Sequence, residues 1–137
     1  MFTYHHKLRV LYGDTDQMGY VYYGNYGYYY EQARSEAIRS IGISYKQLED
    51  EGTMMPIIRM NIKYIAPAYY DELLTIKTFV THLPNRIIVF NYEVFNEKNE
   101  LINEGETHLA FVDAATKRIK AAPPVLMDKM KTYFVND

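Results

Sequence analysis

The sequence predicts an α+β domain in which one long helix packs on an antiparallel sheet. Three observations carry that reading. Apolar side chains at Tyr26, Tyr30, Ala33, Ala37 and Ile41 follow helical spacing, while Gln32, Ser35, Glu36 and Arg39 lie largely elsewhere. From Ile58 the pattern switches to period two and runs in segments as far as Val112. No internal repeat, low-complexity tract or linker divides the 137 residues, so one domain is expected over 1–137.

Taken in order, Tyr4 to Tyr12 alternates well enough for a first strand. After a loop holding Asp14 and Asp16, the helix is expected over Asn25 to Ile41. Asn25 or Gly24 stands at its N-cap and Gly42 at its stop. Glu31 and Arg34, three residues apart, read as a pair on the helix surface or at an interface. A short helix over Tyr45 to Glu51 ends in a turn at Gly52. Ile58, Met60, Ile62 and Tyr64 then alternate with Arg59, Asn61 and Lys63, the mark of a half-buried strand that Pro67 ends. Strands follow over Leu73 to His82, Arg86 to Phe95 and Leu101 to Val112, with turns at Pro84-Asn85 and Asn96 to Glu100. Asp113 to Lys117 makes a loop, and Pro123 and Pro124 open a last helix ending near Phe134.

Composition removes several classes of function. The net charge is −2 and no basic run exceeds two residues, so nothing draws the chain to nucleic acid or an anionic membrane. Without cysteine there is no disulfide, thiolate nucleophile or Cys-ligated zinc. MFTYHHKLRV lacks the apolar segment of a secretion signal, and no apolar run reaches membrane-spanning length. A cytoplasmic protein with no membrane span is the expectation. No HExxH, GxSxG or glycine-rich phosphate loop occurs. His5 and His6 are neighbours on a strand, point to opposite faces and do not readily share a metal.

The stretch YGDTDQMGYVYYGNY, from Tyr12 to Tyr26, says most about chemistry. It sets two carboxylates on a loop just before a helix. A helix N-terminus offers unpaired N–H groups that suit a developing oxyanion, and a carboxylate beside it offers a base or nucleophile. That combination fits acyl transfer. The same Asp-x-Asp also serves as a turn former or cap, and Asp14 fits that structural part. Tyrosines crowd positions 20 to 30, where they pack core and interface and leave two or three rings for a pocket wall.

The run YGDTDQMGYVYYGNY, followed by Tyr30 to Glu36, resembles the 4-hydroxybenzoyl-CoA thioesterase family. Tyr64 to Leu73 resembles that family's strand-turn-strand block, and with the late Asp-Ala-Ala-Thr-Lys loop and Pro123 the likeness spans nearly the whole chain. The resemblance implies a hot-dog fold, a curved antiparallel sheet of about five strands wrapped around a central helix. It also implies hydrolysis of an acyl-CoA or acyl-carrier thioester, with no cofactor, since coenzyme A is part of the substrate. It casts Asp16 as the catalytic carboxylate and the Tyr23 backbone N–H as the group polarising the carbonyl. Gly19 matches the glycine of the loop, where substrate approaches closely. Tyr20, Tyr22 and Tyr26 surround the expected acyl pocket. Many relatives have His where this chain has Tyr20, and Gly where it has Tyr70, so a His-assisted step is not implied here.

Whether Asp16 attacks directly or activates water stays open at this level. Arg86 matches a basic position of the family, and Lys117 with Arg118 follows the late loop; these are the candidates for the phosphates of coenzyme A. The resemblance further implies a homodimer or homotetramer whose sites draw on two chains. Two alternatives remain: a hot-dog dehydratase or hydratase, which would need a His beside its carboxylate, and an acyl-thioester-binding protein without catalysis.

Overall fold

The computed structural model describes residues 1–135. Its elements in order are β1 (Phe2–Arg9), α1 (Tyr26–Ser40), α2 (Tyr45–Asp50), β2 (Thr53–Met54), β3 (Ile57–Tyr64), β4 (Leu73–Val80), β5 (Ile87–Phe95), β6 (Leu101–Ala110), β7 (Val112–Asp113) and α3 (Pro124–Lys131). Two 3-10 turns, Tyr12–Asp14 and Tyr23–Asn25, bracket the aspartate loop. Five strands form one antiparallel sheet in the order β1-β4-β5-β6-β3. The long helix packs on this sheet against β1 and β4, so the expected α+β architecture is present. β2 and β7 make a separate two-stranded ribbon that periodicity did not show, each being too short to carry a pattern. No helix among the described residues is long and apolar enough to cross a membrane.

The core lies between α1 and the inner sheet face. Tyr29, Tyr30, Ala33, Ala37 and Ile38 of the helix are buried there, with Leu74, Ile76, Ile88, Phe90 and Val94 of the sheet. Burial alternates strictly along β4 and β5, as a sheet with one covered face requires. Tyr30 lies flat on Tyr92, ring centroids 4.1 Å apart and planes within 1°. Its hydroxyl donates to Asn103 Oδ1. Gly105 makes this contact possible: a Cβ there would stand 2.7 Å from the Tyr30 hydroxyl and 2.5 Å from the Asn61 carbonyl.

Two expectations need correction. β3 is not half-buried: every residue from Ile57 to Tyr64 is exposed except Ile62, which is intermediate. Period two correctly shows which side chains share a face, but β3 is an edge of the sheet and the start of α1 covers it only in part. Arg34 is not on the surface. It is buried against Tyr92 and Tyr45, its Nε and Nη1 have no hydrogen-bond partner, and no ion pair joins it to the exposed Glu31.

Candidate active site

The aspartate loop is a small hairpin stitched to its neighbours by backbone. Asp16 N–H donates to the Tyr20 carbonyl and Tyr22 N–H to the Asp14 carbonyl, each at 3.0 Å, with Thr15 facing Val21 between them. Val21 N–H donates to the Ala68 carbonyl at 2.8 Å, tying the hairpin to the segment after β3. Gly19 turns it with φ +87°, a conformation side-chain-bearing residues rarely adopt. A Cβ at Gly19 would meet nothing within 4 Å, so glycine here answers to backbone geometry.

Asp16 is half-buried, and its Oδ1 accepts from Met18 N–H at 2.9 Å. Oδ2 engages no donor among the described residues. The carboxylate is thereby held at one oxygen with the other available. Asp14, two residues earlier, turns elsewhere: its Oδ2 accepts from Leu11 N–H and from the Tyr29 hydroxyl, both at 2.9 Å.

A cavity of about 260 Å³ opens beside Asp16. Met18, Tyr20, Val21, Tyr23, Tyr26, Tyr64 and the Ile65–Pro67 segment complete its wall. The Tyr23 N–H, first in its 3-10 turn, donates to no acceptor among the described residues, whereas Tyr22 N–H donates to the Asp14 carbonyl and Asn25 N–H to the Tyr22 carbonyl. Tyr26 is the buried floor, and burial, followed by the nearby Tyr64 and Glu72, pushes its phenol up to about 12. The phenol is therefore a neutral hydrogen-bonding group at ordinary pH, not a base. Tyr64 donates its hydroxyl to the Tyr23 carbonyl at 2.9 Å and sets its ring edge-on to both Tyr23 and Tyr26.

The structure thus brings Asp16, Tyr20, Tyr23 and Tyr26 together, with Gly19 at the turn of the same loop. Tyr22 does not line the cavity; it is exposed and its ring leans on Tyr23, centroids 4.5 Å apart. Tyr64 is the member sequence reasoning missed. It sits 48 residues from Asp16, on a strand whose alternation reads as half-buried and carries no sign of a site. Arg86, Lys117 and Arg118 are exposed and stand at the other end of the sheet. Ile87 pairs with Ala110 and Ile57 with Leu109, Phe111 N–H donates to the Arg86 carbonyl, and Asp113 N–H to the Arg118 carbonyl. The cavity instead adjoins the Tyr64 end of β3, roughly 23 Å away at about 3.3 Å per residue.

Comparison with known proteins decides the family. Residues 18–103 match the model of the thioesterase superfamily. The chain belongs to that superfamily. This thioesterase is 34% identical over 124 residues to the acyl-CoA thioester hydrolase YbgC of Escherichia coli O6:H1, covering 90% of the chain and 92% of the relative. It superposes on the DHNA-CoA thioesterase of Staphylococcus aureus with a TM-score of 0.89 at 30% identity, over 98% of this chain and 92% of that one. A 4-hydroxybenzoyl CoA thioesterase superposes with a TM-score of 0.82 over 94% of this chain and 99% of that one; its 21% identity speaks for the shared hot-dog fold alone.

Proposed function

We propose that this thioesterase hydrolyses acyl-CoA thioesters, with Asp16 as base or nucleophile and the Tyr23 N–H polarising the carbonyl. The observation that carries the proposal is the single cavity wall shared by a half-free carboxylate and an unspent helix-start N–H. In the base route Asp16 takes a proton from water, whose oxygen attacks the thioester carbon. The N–H stabilises charge developing on the carbonyl oxygen. Collapse breaks the C–S bond, and the thiolate leaves as coenzyme A after accepting a proton. In the nucleophile route Asp16 itself attacks, and water then opens the mixed anhydride. Either route ends in free acid and thiol and calls on no cofactor. The names of the relatives support acyl-CoA as substrate class. None of the four histidines lines the cavity, which favours hydrolysis over a His-dependent dehydratase.

The exposed edge supports a shared site. Ile57, Ile58, Met60 and Tyr64 present apolar surface on an edge strand that pairs with β6 on one side only, the kind of edge that pairs with another copy. Antiparallel pairing of β3 with the same strand of a second copy lays the Ile57 end of one protomer beside the Tyr64 end of the other. The second copy's Arg86, Lys117 and Arg118 then approach the first copy's cavity, where coenzyme A phosphates need cations. A homodimer is the minimum unit of this proposal, and a tetramer adds to it.

Hydrolysis of a panel of acyl-CoAs, read as free thiol, tests the function. Release of thiol from at least one member at well above the buffer rate is expected. A folded, dimeric protein that binds acyl-CoA and releases no thiol from any member would overturn it in favour of a binding protein.

A further inference from the structure

Four hydrogen bonds converge on Asp14, which does not line the cavity. Its carboxylate accepts from Leu11 N–H and the Tyr29 hydroxyl, each at 2.9 Å. Its carbonyl accepts from Asn25 Nδ2 at 2.8 Å and from Tyr22 N–H at 3.0 Å. Three of those four donors belong to the segment that starts the helix. Asp14 therefore fastens the loop that carries Asp16 to the segment that carries the Tyr23 N–H.

Asn25 gives this arrangement its meaning. It occupies the N-cap of α1, where an Asn side chain ordinarily accepts from a first-turn N–H. Here it makes no cap bond, is itself helical in φ and ψ, and turns its amide outward to donate to Asp14. Tyr29, one turn further along α1, is 1% exposed, and among the described residues its hydroxyl donates to the Asp14 carboxylate alone. Burial first, and then that carboxylate, push its phenol well above the usual range, so it remains a donor.

We infer that Asp14, Asn25 and Tyr29 are positioning residues that set the distance between the Asp16 carboxylate and the Tyr23 N–H, and with it the rate of the chemical step. The inference rests on the acyl-transfer reading above and adds residues that touch neither substrate nor reacting atoms. A displacement of about 1 Å between base and oxyanion donor is enough to cost one to two orders of magnitude in rate. Asp14, Asn25 and Tyr29 do not line the cavity, so their effect falls on the chemical step and not on binding.

Steady-state kinetics on the full-length protein tests this, at a temperature where every variant is fully folded. Tyr29→Phe keeps the buried ring and removes one hydroxyl; kcat is expected to fall about tenfold with KM within twofold. Asn25→Ala is expected to behave alike, and Asp14→Asn to lose more. The Asp14→Ala, Tyr29→Phe double variant should be no slower than Asp14→Ala alone, because losing the carboxylate already removes the acceptor of the Tyr29 hydroxyl. If Asn25→Ala or either Asp14 variant fails to fold, Tyr29→Phe decides by itself. A lowered melting temperature with unchanged kcat in Tyr29→Phe would reduce the cluster to a stabilising role and overturn the inference. Asp16→Asn separates the two levels. Normal turnover there sinks the acyl-transfer reading itself, whereas loss there with wild-type kcat in Tyr29→Phe sinks the positioning claim alone.

Discussion

At the Tyr64 end of β3 the sheet meets a carboxylate, an open N–H and a wall of tyrosines; at the Ile57 end it meets Arg86, Lys117 and Arg118 on exposed turns. The first end is locked by backbone and side-chain hydrogen bonds in every direction, and the second presents mobile-stemmed cations to solvent. The separation, roughly 23 Å along β3, exceeds the screening length of about 8 Å at physiological salt. Within one chain, then, the cations do nothing for the carboxylate. In the shared site proposed above, chemistry and phosphate recognition sit on different parts of the fold and come together only when two chains meet.

Removing the acid end should have the largest effect. Asp16→Asn keeps the shape of the side chain and is expected to lower kcat by at least about a hundredfold with the fold intact by circular dichroism. Near-normal turnover would remove Asp16 from the mechanism. Breaking the junction comes next. Ile58→Lys together with Met60→Lys places like charges along an edge already exposed, so each chain should still fold while light scattering reports monomers near 16 kDa. Activity at low substrate should fall about tenfold or more; a fully active monomer would sink the shared site.

The basic end should act on binding. Alanine at Arg86, Lys117 and Arg118 together is expected to raise KM for acyl-CoA about tenfold at low salt, with kcat little changed and the difference shrinking as salt rises. Mixing this triple variant with Asp16→Asn sharpens the comparison. Heterodimers would contain one site with both an intact carboxylate and intact cations, so activity at low substrate should exceed that of either parent. No gain after verified subunit exchange would place acid and cations in the same chain's site. The smallest effect is on selectivity. Tyr20→Ala enlarges the cavity wall and should shift the preferred acyl length by a factor of about ten or less, while Tyr22→Ala, which lies outside the cavity, should not. Tyr26→Ala is the stability control, expected to cost about 3–5 kcal/mol from a site 3% exposed.

Much of this was legible in the chain because periodicity reports directly on which face of an element is dry. α1 and strands β4 to β6 came out with no end shifted by more than two residues. β3 shows where that reasoning stops. Its alternation is real, but an apolar stripe left exposed looks the same in sequence as one buried in the core. The loop was legible for a different reason, since Asp14, Asp16 and Gly19 carry turn chemistry in a short span. The bond from Tyr29 to Asp14 crosses 15 residues, and Tyr64 reaches Tyr23 across 41; no local pattern encodes either. The sequence offers Asn25 or Gly24 as the cap; Asn25 stands there, yet its amide serves the loop in place of the helix.

The notch at Gly105 fixes more than packing. With the Tyr30 ring seated on Tyr92 and its hydroxyl over a residue that has no side chain, α1 cannot slide or roll on the sheet without lifting the ring out. The helix start is thus a stationary anvil. The Tyr20 ring and the exposed Ile65–Pro67 rim of the cavity lie outside that seat.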